Sequence, residues 1–437
     1  MNNANNIEMA LEKAWHRNTA ETSLERWSEI CTKENWGDVP EDISRLIAVF
    51  GASWYFTRFV FYRGLEIVPI IDDADIDISD ADTIAGILMK ALDEDGEERQ
   101  FEALRQRKNE LMLVILLRRF GNTGSLSSNE AALTILAIET LAVALRISGL
   151  ELENNECQLA ILGMGRMAGR EMTFGSDLDL IFLYSATSDE QRMSYAQKIR
   201  FLLRNMASSS ASGMLYEIDM RLRPHGTSGA LITSTSSFLD YHMGERDCWE
   251  RQMMTRCHAS IDYQGIGIDC LKVLEPIIYQ KYPVATLSSE ILSMRLRVEE
   301  ELGSRRGKHD IKRDEGGIMD IDFITHFLQL KYGFENPDLR KRSTRVVLAE
   351  ASQSGYLQEN EAQTLLSDYD YFKTLETCLR LFDMKSISSF ATHIDNDHAL
   401  VRALEFSGTE AATLFLDDFD MRRRRTRITF LKTLDAS

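Results

Sequence analysis

Two aspartates that alternate along an apolar stretch are the residues of this chain best suited to do chemistry. Asp177 and Asp179 lie in the segment GSDLDLIFL, and Leu178 and Leu180 alternate with them. In a β-strand, residues two apart point to the same face, so both carboxylates would face a cleft while the leucines face the core. Neighbouring carboxylates repel, and a hard divalent cation such as Mg2+ relieves that repulsion. The spacing therefore predicts a metal and nucleotide-phosphate site.

The turn before these aspartates is suited to phosphate binding. Gly175 lets the backbone approach a triphosphate closely, and Ser176 adds a hydroxyl and an amide N–H. The alternative is a strand that the chain enters through a hydrophilic turn, in which Asp177 is a local cap. The second alternating segment, described next, favours the metal site.

A third carboxylate follows in MLYEIDMRL, whose alternation predicts a strand over Met214–Leu222. Glu217, Asp219 and Arg221 would share one face of this strand, while the apolar residues between them share the other. Asp219 thus has a route to the first two aspartates.

The elements that must position these side chains are predicted to be mostly helical. The chain has only 6 Pro and 25 Gly in 437 residues, and its long Leu-, Ala-, Arg- and Glu-rich segments favour helix. Helical periodicity extends from Ile7 to about Ser148, with no sheet, and again from Ser260 to the end. We therefore expect an N-terminal helical region at 1–150, a catalytic core at 151–265 and a C-terminal helical bundle at 266–437.

The core has a different period, in which short strands and helices alternate. The predicted order is strand Gln158–Met164, helix Gly165–Met172, strand Asp177–Tyr184, helix Ser188–Ser209 and strand Met214–Leu222.

This order, with its Gly-Ser turn, D-x-D strand and carboxylate strand, resembles the polymerase-β-like nucleotidyltransferases. The resemblance implies an α+β, predominantly helical fold: a small mixed sheet with helices, flanked by N- and C-terminal helical domains. It also implies that Asp177, Asp179 and Asp219 hold two Mg2+ ions, with ATP as substrate and Asp219 accepting the proton of the nucleophile. The residues expected to contact the nucleotide are Gly163, Gly165, Arg166, Gly175, Ser176, Arg221 and Arg223. For the last two arginines the alternative is pairing with Glu217 or Asp240.

The motifs GMGRMAGREMTFGSDLDLIFL, DMRLRPHGTSGALITS, CWERQMMTRC and DEGGIMDIDFITHFLQL narrow the resemblance. Together they resemble one catalytic half of the bacterial glutamine synthetase adenylyltransferase/deadenylylase family, over roughly Phe101 to Leu357. Two departures stand out: Arg166 where the family leads us to expect Lys, and Ala168 where it leads us to expect Gly. The second narrows a close backbone approach and puts nucleotide affinity in question.

The resemblance implies glutamine synthetase as protein substrate and makes the PII signal protein a candidate partner. Members of the family join two halves, one adding AMP to a tyrosine and one removing it by phosphorolysis, whereas this sequence shows one. GSDLDLIFL and GALITS favour addition, but EIDMRLRP and CWER are also compatible with removal. A degenerate copy kept as a regulatory module is a third hypothesis, which the three intact aspartates oppose.

The motif DEGGIMDIDF adds two further acidic side chains at the start of a predicted helix, Ile318–Tyr332. Asp320 and Asp322 lie in its first turn, where the helix dipole favours negative charge. They are candidates for a lid that faces the nucleotide across the cleft, and the alternative is helix capping.

Charge and composition exclude several other classes. A net charge of −18 disfavours a nucleic-acid partner, including transfer to RNA ends, because phosphates require clustered Lys and Arg. The arginines at 422–425 and 427 are expected to pair with Asp417, Asp418 and Asp420 across a solvated helix face. No signal peptide or long apolar run is present, so we expect a cytoplasmic protein with no membrane partner.

Two further patterns suggest metal sites and are rejected. The six cysteines show no zinc-ligand spacing and are expected to be buried, reduced thiols. The acidic segment from Asp72 to Asp82 lacks the Gly and Glu of a calcium loop, so a solvated, helix-capping loop is expected there.

Overall fold

A computed structural model of the chain describes residues 2–37, 40–72, 78–121, 124–150, 158–185, 188–244 and 246–435. Helices dominate it, and the small sheet lies in the middle of the sequence. The predicted α+β, predominantly helical class is thereby confirmed. Within these residues, no helix combines the length and the apolar character needed to cross a bilayer.

The N-terminal region is entirely helical in its described residues, as predicted. Ser125 caps the last of its helices, accepting a hydrogen bond from the N–H of Ser128. That helix packs against the preceding one, and both are largely apolar where they face each other. The helices are α1 Asn2–Lys13, α2 Arg17–Glu34, α3 Ile43–Ala52, α4 Trp54–Arg63, α5 Val68–Asp72, α6 Ala81–Met89, α7 Glu97–Phe120 and α8 Leu126–Ile147.

The central region contains the main sheet and the short helices around it. Its elements are β1 Leu159–Met164, α9 Gly165–Gly169, β2 Leu178–Tyr184, α10 Asp189–Ala207, β3 Ser209–Ser210, β4 Gly213–Met214, β5 Ile218–Asp219, β6 Thr233–Ser234, α11 Thr235–Met243, α12 Cys248–Met254 and β7 Cys257–Asp262.

The main sheet has the order β5-β2-β1-β7. Strand β1 is antiparallel to both of its neighbours and all six of its residues are buried, as expected for an apolar run at the centre of a sheet. Strands β5 and β6 both run parallel to β2, β5 beside its first residues and β6 beside its last. The start of β2 is therefore the point where the DLD segment meets the third predicted strand.

The C-terminal region is helical except for one two-stranded sheet. Helix α15 lies at its centre, in contact with four other helices. The elements are α13 Ile266–Ile278, α14 Val284–Leu302, β8 Lys308–Asp310, α15 Ile318–Tyr332, α16 Thr344–Gln353, α17 Glu359–Leu381, β9 Ser389–Ala391, α18 Ala399–Ala403 and α19 Ala411–Asp435.

Two predictions about secondary structure were wrong. The segment Met214–Leu222 is not one strand: only Gly213–Met214 and Ile218–Asp219 pair, in different sheets. Residues after Ser260 are not helical throughout, because β8 and β9 pair with each other. The partners of β5, β8 and β9 are distant in sequence, so local alternation and helical periodicity could not reveal these pairings.

The prediction for the arginine run was only partly right. Arg422 pairs with Asp418 on α19, at 2.9 Å between Nε and Oδ2, as expected. Arg425, however, pairs with the fully buried Asp368 of α17. Arg427 pairs with Asp320 of α15, so the run connects helices and does not form only a solvated face.

The other charge and cysteine predictions can be compared over the described residues. Most of the cysteines there are buried, as expected. Cys157 lies outside the described residues, and so do Asp73, Asp75 and Asp77 of the acidic segment. Asp80 of that segment caps α6 through a 2.8 Å hydrogen bond from the N–H of Thr83.

Candidate functional site

The three predicted metal-binding aspartates meet at the start of β2, and we call Asp177, Asp179 and Asp219 the acidic cluster. Because β2 and β5 are parallel and in register there, Asp179 lies directly opposite Asp219. Leu178 and Leu180 are fully buried on the other face of β2. The alternation of the sequence thus separates carboxylates from core, although β5 is only two residues long.

The acidic cluster lacks enough positive charge to balance it. Burial and, after it, the carboxylates of Asp177 and Asp219 together raise the pKa of Asp179 to about 7, against the opposing effect of Lys312 and Arg221. Such a shift means that ionising Asp179 is costly in the free protein. A cation that enters this cluster would remove the cost.

The donor set of the acidic cluster suits a hard cation, because it consists of carboxylate oxygens. Across the described parts of the chain, however, no three Asp, Glu, His or Cys side chains already converge into a metal cage. The carboxylate of Asp219 is hydrogen-bonded to Arg221. The ligands fit Mg2+ in type and in backbone position, and a metal held by all three aspartates would require Asp219 to release Arg221.

Arg221 holds the carboxylate of Asp219 through both its side chain and its backbone. Its Nε donates to Oδ2 at 2.8 Å, and its backbone N–H donates to Oδ1 at 2.8 Å. These hydrogen bonds lower the pKa of Asp219. The Arg221 side chain is 75% exposed, so little packing holds it in place. Neither Glu217 nor Asp240, its expected alternative partners, is the one it contacts.

Arg223 behaves differently from its neighbour two positions earlier. Its guanidinium donates to backbone carbonyl oxygens of its own loop, including Met220 at 2.7 Å and Ala230 at 3.1 Å. Further bonds reach the carbonyls of Thr227 and Gly229. The donors of Arg223 thus bind its own loop in this structure, and its contact with phosphate stays a prediction.

The Gly-Ser turn has the backbone geometry that only glycine adopts easily. Gly175 has a φ of +64°, and a Cβ there would lie 3.0 Å from the backbone carbon of Met384. The Ser176 hydroxyl accepts hydrogen bonds from the N–H of Thr173 at 3.1 Å and from Arg380 at 3.3 Å. A segment that follows α17 therefore covers the turn from the C-terminal region.

The two glycines at the end of β1 serve different purposes. Gly165 has a φ of +55°, a backbone conformation that favours glycine, and it lies beside the acidic cluster, where a Cβ would make an ordinary contact with Asp179 Oδ2 at 3.5 Å. A Cβ at Gly163 would lie 2.5 Å from Ser260 Oγ, which makes this residue a packing glycine between β1 and β7.

Arg166 belongs to a buried set of alternating charges, which we call the charge network. Its Nη2 donates to Asp322 Oδ2 at 2.7 Å, and its Nη1 contacts Glu171 and Tyr369. Arg256 binds the same two carboxylates, with 3.0 Å to Asp322 Oδ1. The network therefore consists of Arg166, Glu171, Arg256, Asp322 and Tyr369, and it joins α9 to α15 and α17.

The two candidate lid residues, Asp320 and Asp322, have different partners. Asp322 anchors Arg166 within the charge network. Asp320 is fully buried against Arg295, at 2.5 Å to Nε, and also accepts from the N–H of Gly316. Both carboxylates are paired with arginines in this structure, and the lid role stays a prediction. The backbone bond to Asp320 agrees with the alternative of helix capping.

Three residues near the site were not predicted from the sequence: Glu171, Lys312 and Arg380. Glu171 accepts from two arginines, Tyr369 and the Ser343–Thr344 turn. Lys312 lies close enough to lower the pKa of Asp179 and is itself largely buried. Glu171 lies within the motif GREMTFGSD and Lys312 lies just before DEGG, so both residues had a local signal in the sequence. Arg380 had no such signal.

Matches to known proteins cover most of the chain. Residues 43–273 match the model of the glutamate-ammonia ligase adenylyltransferase family, and residues 292–434 match that of GlnD PII-uridylyltransferase. A bifunctional glutamine synthetase adenylyltransferase/adenylyl-removing enzyme of Chromobacterium violaceum is 28% identical over 357 residues, which are 80% of this chain. Those residues correspond to 40% of the relative, so the chain spans less than half of its length.

Proposed function

The chain belongs to the glutamate-ammonia ligase adenylyltransferase family, and we propose that it transfers AMP from ATP to a tyrosine hydroxyl of glutamine synthetase. We assign the chemistry to the region 151–265, between helical regions at 1–150 and 266–437. The observation that carries the proposal is the acidic cluster, in which strand register brings Asp179 and Asp219 together beside Asp177.

In this proposal Asp177, Asp179 and Asp219 hold two Mg2+ ions. When bound, these ions stabilise negative charge on the phosphates and lower the pKa of the attacking hydroxyl. The turn at Gly175 and Ser176 lies directly before the first aspartate, and in this proposal the triphosphate lies against it.

Arg221 is the arginine best placed to exchange partners during the reaction. Its side chain is largely exposed, and the phosphates of ATP would compete with Asp219 for its guanidinium. Release of Asp219 would remove the side-chain hydrogen bonds that contribute most to lowering its pKa, and so make it a better acceptor for the tyrosine proton. Lys312 supplies a second positive charge beside Asp179.

The decisive experiment uses ATP labelled in the α-phosphate, purified glutamine synthetase and Mg2+. We expect label to accumulate in glutamine synthetase while pyrophosphate is released in step. Adenylylated glutamine synthetase with inorganic phosphate and no ATP provides the opposite test. Phosphate-dependent release of ADP, with no incorporation from ATP under any effector, would reverse the direction and leave the nucleotidyltransferase site standing.

Removal of AMP is the second candidate, because the name of the relative covers both adenylyl transfer and adenylyl removal.

The match of residues 292–434 to a PII-uridylyltransferase model supports a further part of the proposal, which concerns regulation. In it, the C-terminal helices receive a signal from the PII protein. A change in transfer rate on adding PII would support this part, and an unchanged rate together with no PII binding would refute it.

Absence of both AMP addition and AMP removal in the intact, Mg2+-loaded protein would favour a degenerate regulatory copy.

A further inference from the structure

A cavity of about 340 Å³ lies immediately beside the Gly-Ser turn. Its walls come from three parts of the chain: helices α4, α7 and α8, the segment around β4 and β5, and the loop after α17. Gly175, Ser176 and Asp177 form one side of it. The volume is at the lower end of the range of small-molecule sites, about 300–1,000 Å³.

The first unusual group in this cavity is Lys108 on α7. Only 2% of the residue is exposed, and no carboxylate of the described chain pairs with its ammonium. Its nearest acceptors are weak ones, Asn109 Oδ1 at 3.3 Å and the carbonyl of Met214 at 3.4 Å. Burial lowers the pKa of Lys108 to about 7. A buried amine with so little compensation is costly to the free protein.

The second unusual group is the phenol of Tyr216, whose ring lies 4.6 Å from the Lys108 ammonium. The residue is 7% exposed, and its hydroxyl is buried without a hydrogen-bond partner among the described residues. Tyr55 does not compensate, because its own hydroxyl contacts Asn109 Oδ1 at 3.1 Å. Two adjacent buried donors that lack good acceptors indicate a ligand that brings acceptors.

The remaining walls suit a flat aromatic ligand. Met112, Met172, Met214 and Met384 line the cavity, and thioether groups make favourable contacts with aromatic rings. The cavity also contains no strong cluster of positive charge, which a free polyphosphate would need. Its occupant is therefore an aromatic group with ring acceptors, attached to a phosphate chain that lies at the neighbouring turn.

We propose that this cavity receives the nucleobase and ribose of the nucleotide substrate, with Lys108 and Tyr216 donating hydrogen bonds to ring acceptors of the base. The inference rests on the proposed nucleotidyltransferase function, since the shared wall at Gly175–Asp177 is what connects base to phosphates. It assigns nucleoside recognition to the N-terminal helices, which the acidic cluster alone does not involve.

The test measures binding of ATP and of inorganic triphosphate to the full chain with Mg2+, by calorimetry. Tyr216→Phe removes one hydroxyl that has no partner in the free protein, so folding should be preserved. Loss of one hydrogen bond to the base should weaken ATP binding roughly 3- to 10-fold, with triphosphate binding unchanged. Lys108→Met should have the same signature and a larger effect. Tyr279→Phe is the matched control, because Tyr279 is equally buried but lines a different cavity.

Three results would overturn the proposal, and they differ in what else fails. Unchanged ATP affinity in both variants would refute the base pocket alone, provided the wild type binds ATP. Equal weakening of ATP and triphosphate would make the cavity a simple anion site. No ATP binding by the folded wild type would remove the pocket and the proposed nucleotidyltransferase function together.

Discussion

Glu171 and Asp179 are both shielded carboxylates, yet their surroundings move their pKa values in opposite directions. Arg256 and Arg166 contact Glu171 and hold its pKa well below the ordinary value, despite burial. Burial and two neighbouring carboxylates raise the pKa of Asp179 to about 7. The charge network is thus nearly self-sufficient, whereas the acidic cluster is not.

This difference separates groups that maintain the structure from groups that await a ligand. Every charged member of the charge network has an opposite partner within the protein, so a ligand would have to break existing ion pairs. In the acidic cluster a cation would relieve repulsion that already exists. Arg166 falls on the structural side of this division, although its sequence position suggested nucleotide binding.

The largest effect should come from removing a charge of the acidic cluster. Asp177→Asn and Asp179→Asn each keep the side-chain volume and remove one metal ligand. We expect AMP transfer to fall about a thousandfold or more, because such ligands support several kcal/mol of transition-state stabilisation. Initial rates with labelled ATP measure it. Retention of more than about a tenth of wild-type turnover in both variants would reject the two-metal assignment.

Removing a charge from the charge network should lower the stability of the protein. Glu171→Gln leaves Arg166 and Arg256 facing a neutral side chain, and breaking a buried ion pair in this way costs about 3–5 kcal/mol. Denaturant unfolding measures the loss. The matched control is Glu66→Gln, which removes a pair with Arg63 in which Glu66 is 70% exposed and should change stability by less than about 1 kcal/mol. Equal effects at both positions would contradict the division between the regions.

In the acidic cluster, removing a charge should have the opposite effect and stabilise the metal-free protein. Because the folded pKa of Asp179 is raised from 3.8 to about 7, its charge destabilises the fold increasingly between these values and fully above about 7. Asp179→Asn should therefore stabilise the metal-free protein, by about 2 kcal/mol more at pH 8 than at pH 5.

Unfolding midpoints with EDTA and with MgCl2 test this expectation. Mg2+ should stabilise the wild type more than Asp179→Asn, since binding to the folded state adds stability. A gain that is larger at pH 5 than at pH 8 would show that the sign is wrong.

Local sequence signals were sufficient where neighbours in sequence are also neighbours in the structure. Helix α15 has the predicted bounds, Ile318–Tyr332, because its apolar periodicity is continuous and a Gly-Gly turn precedes it. Strand β2 follows from the alternation of DLDLIF. By contrast, MLYEIDMRL alternates equally well, but only Met214 and Ile218–Asp219 pair within it, and they pair in different sheets.

The partners of charged side chains could not be predicted in the same way. Arg380 reaches Ser176 across 204 positions, and Asp322 reaches Arg166 across 156. A sequence shows that an arginine is present but not which carboxylate arrives beside it on folding. For this reason the acidic residues of DLD could be located from the sequence, while the ion pairs of Arg166, Asp320 and Asp322 could not.

The smallest effects should separate the two arginines of RLRP, which differ in the same way as the two regions. Arg223→Gln removes donors to four backbone carbonyls and should destabilise the protein by about 1–2 kcal/mol. Arg221→Gln removes an exposed ion pair and should change stability by less than about 1 kcal/mol. If Arg221 moves to the phosphates, however, its loss should raise KM for ATP about tenfold, as expected for one charge-assisted contact. Parallel unfolding and kinetic measurements decide the matter. A larger stability loss in Arg221→Gln than in Arg223→Gln would mean that the pair with Asp219 is part of the structure, and Asp219 would then be unavailable to a metal.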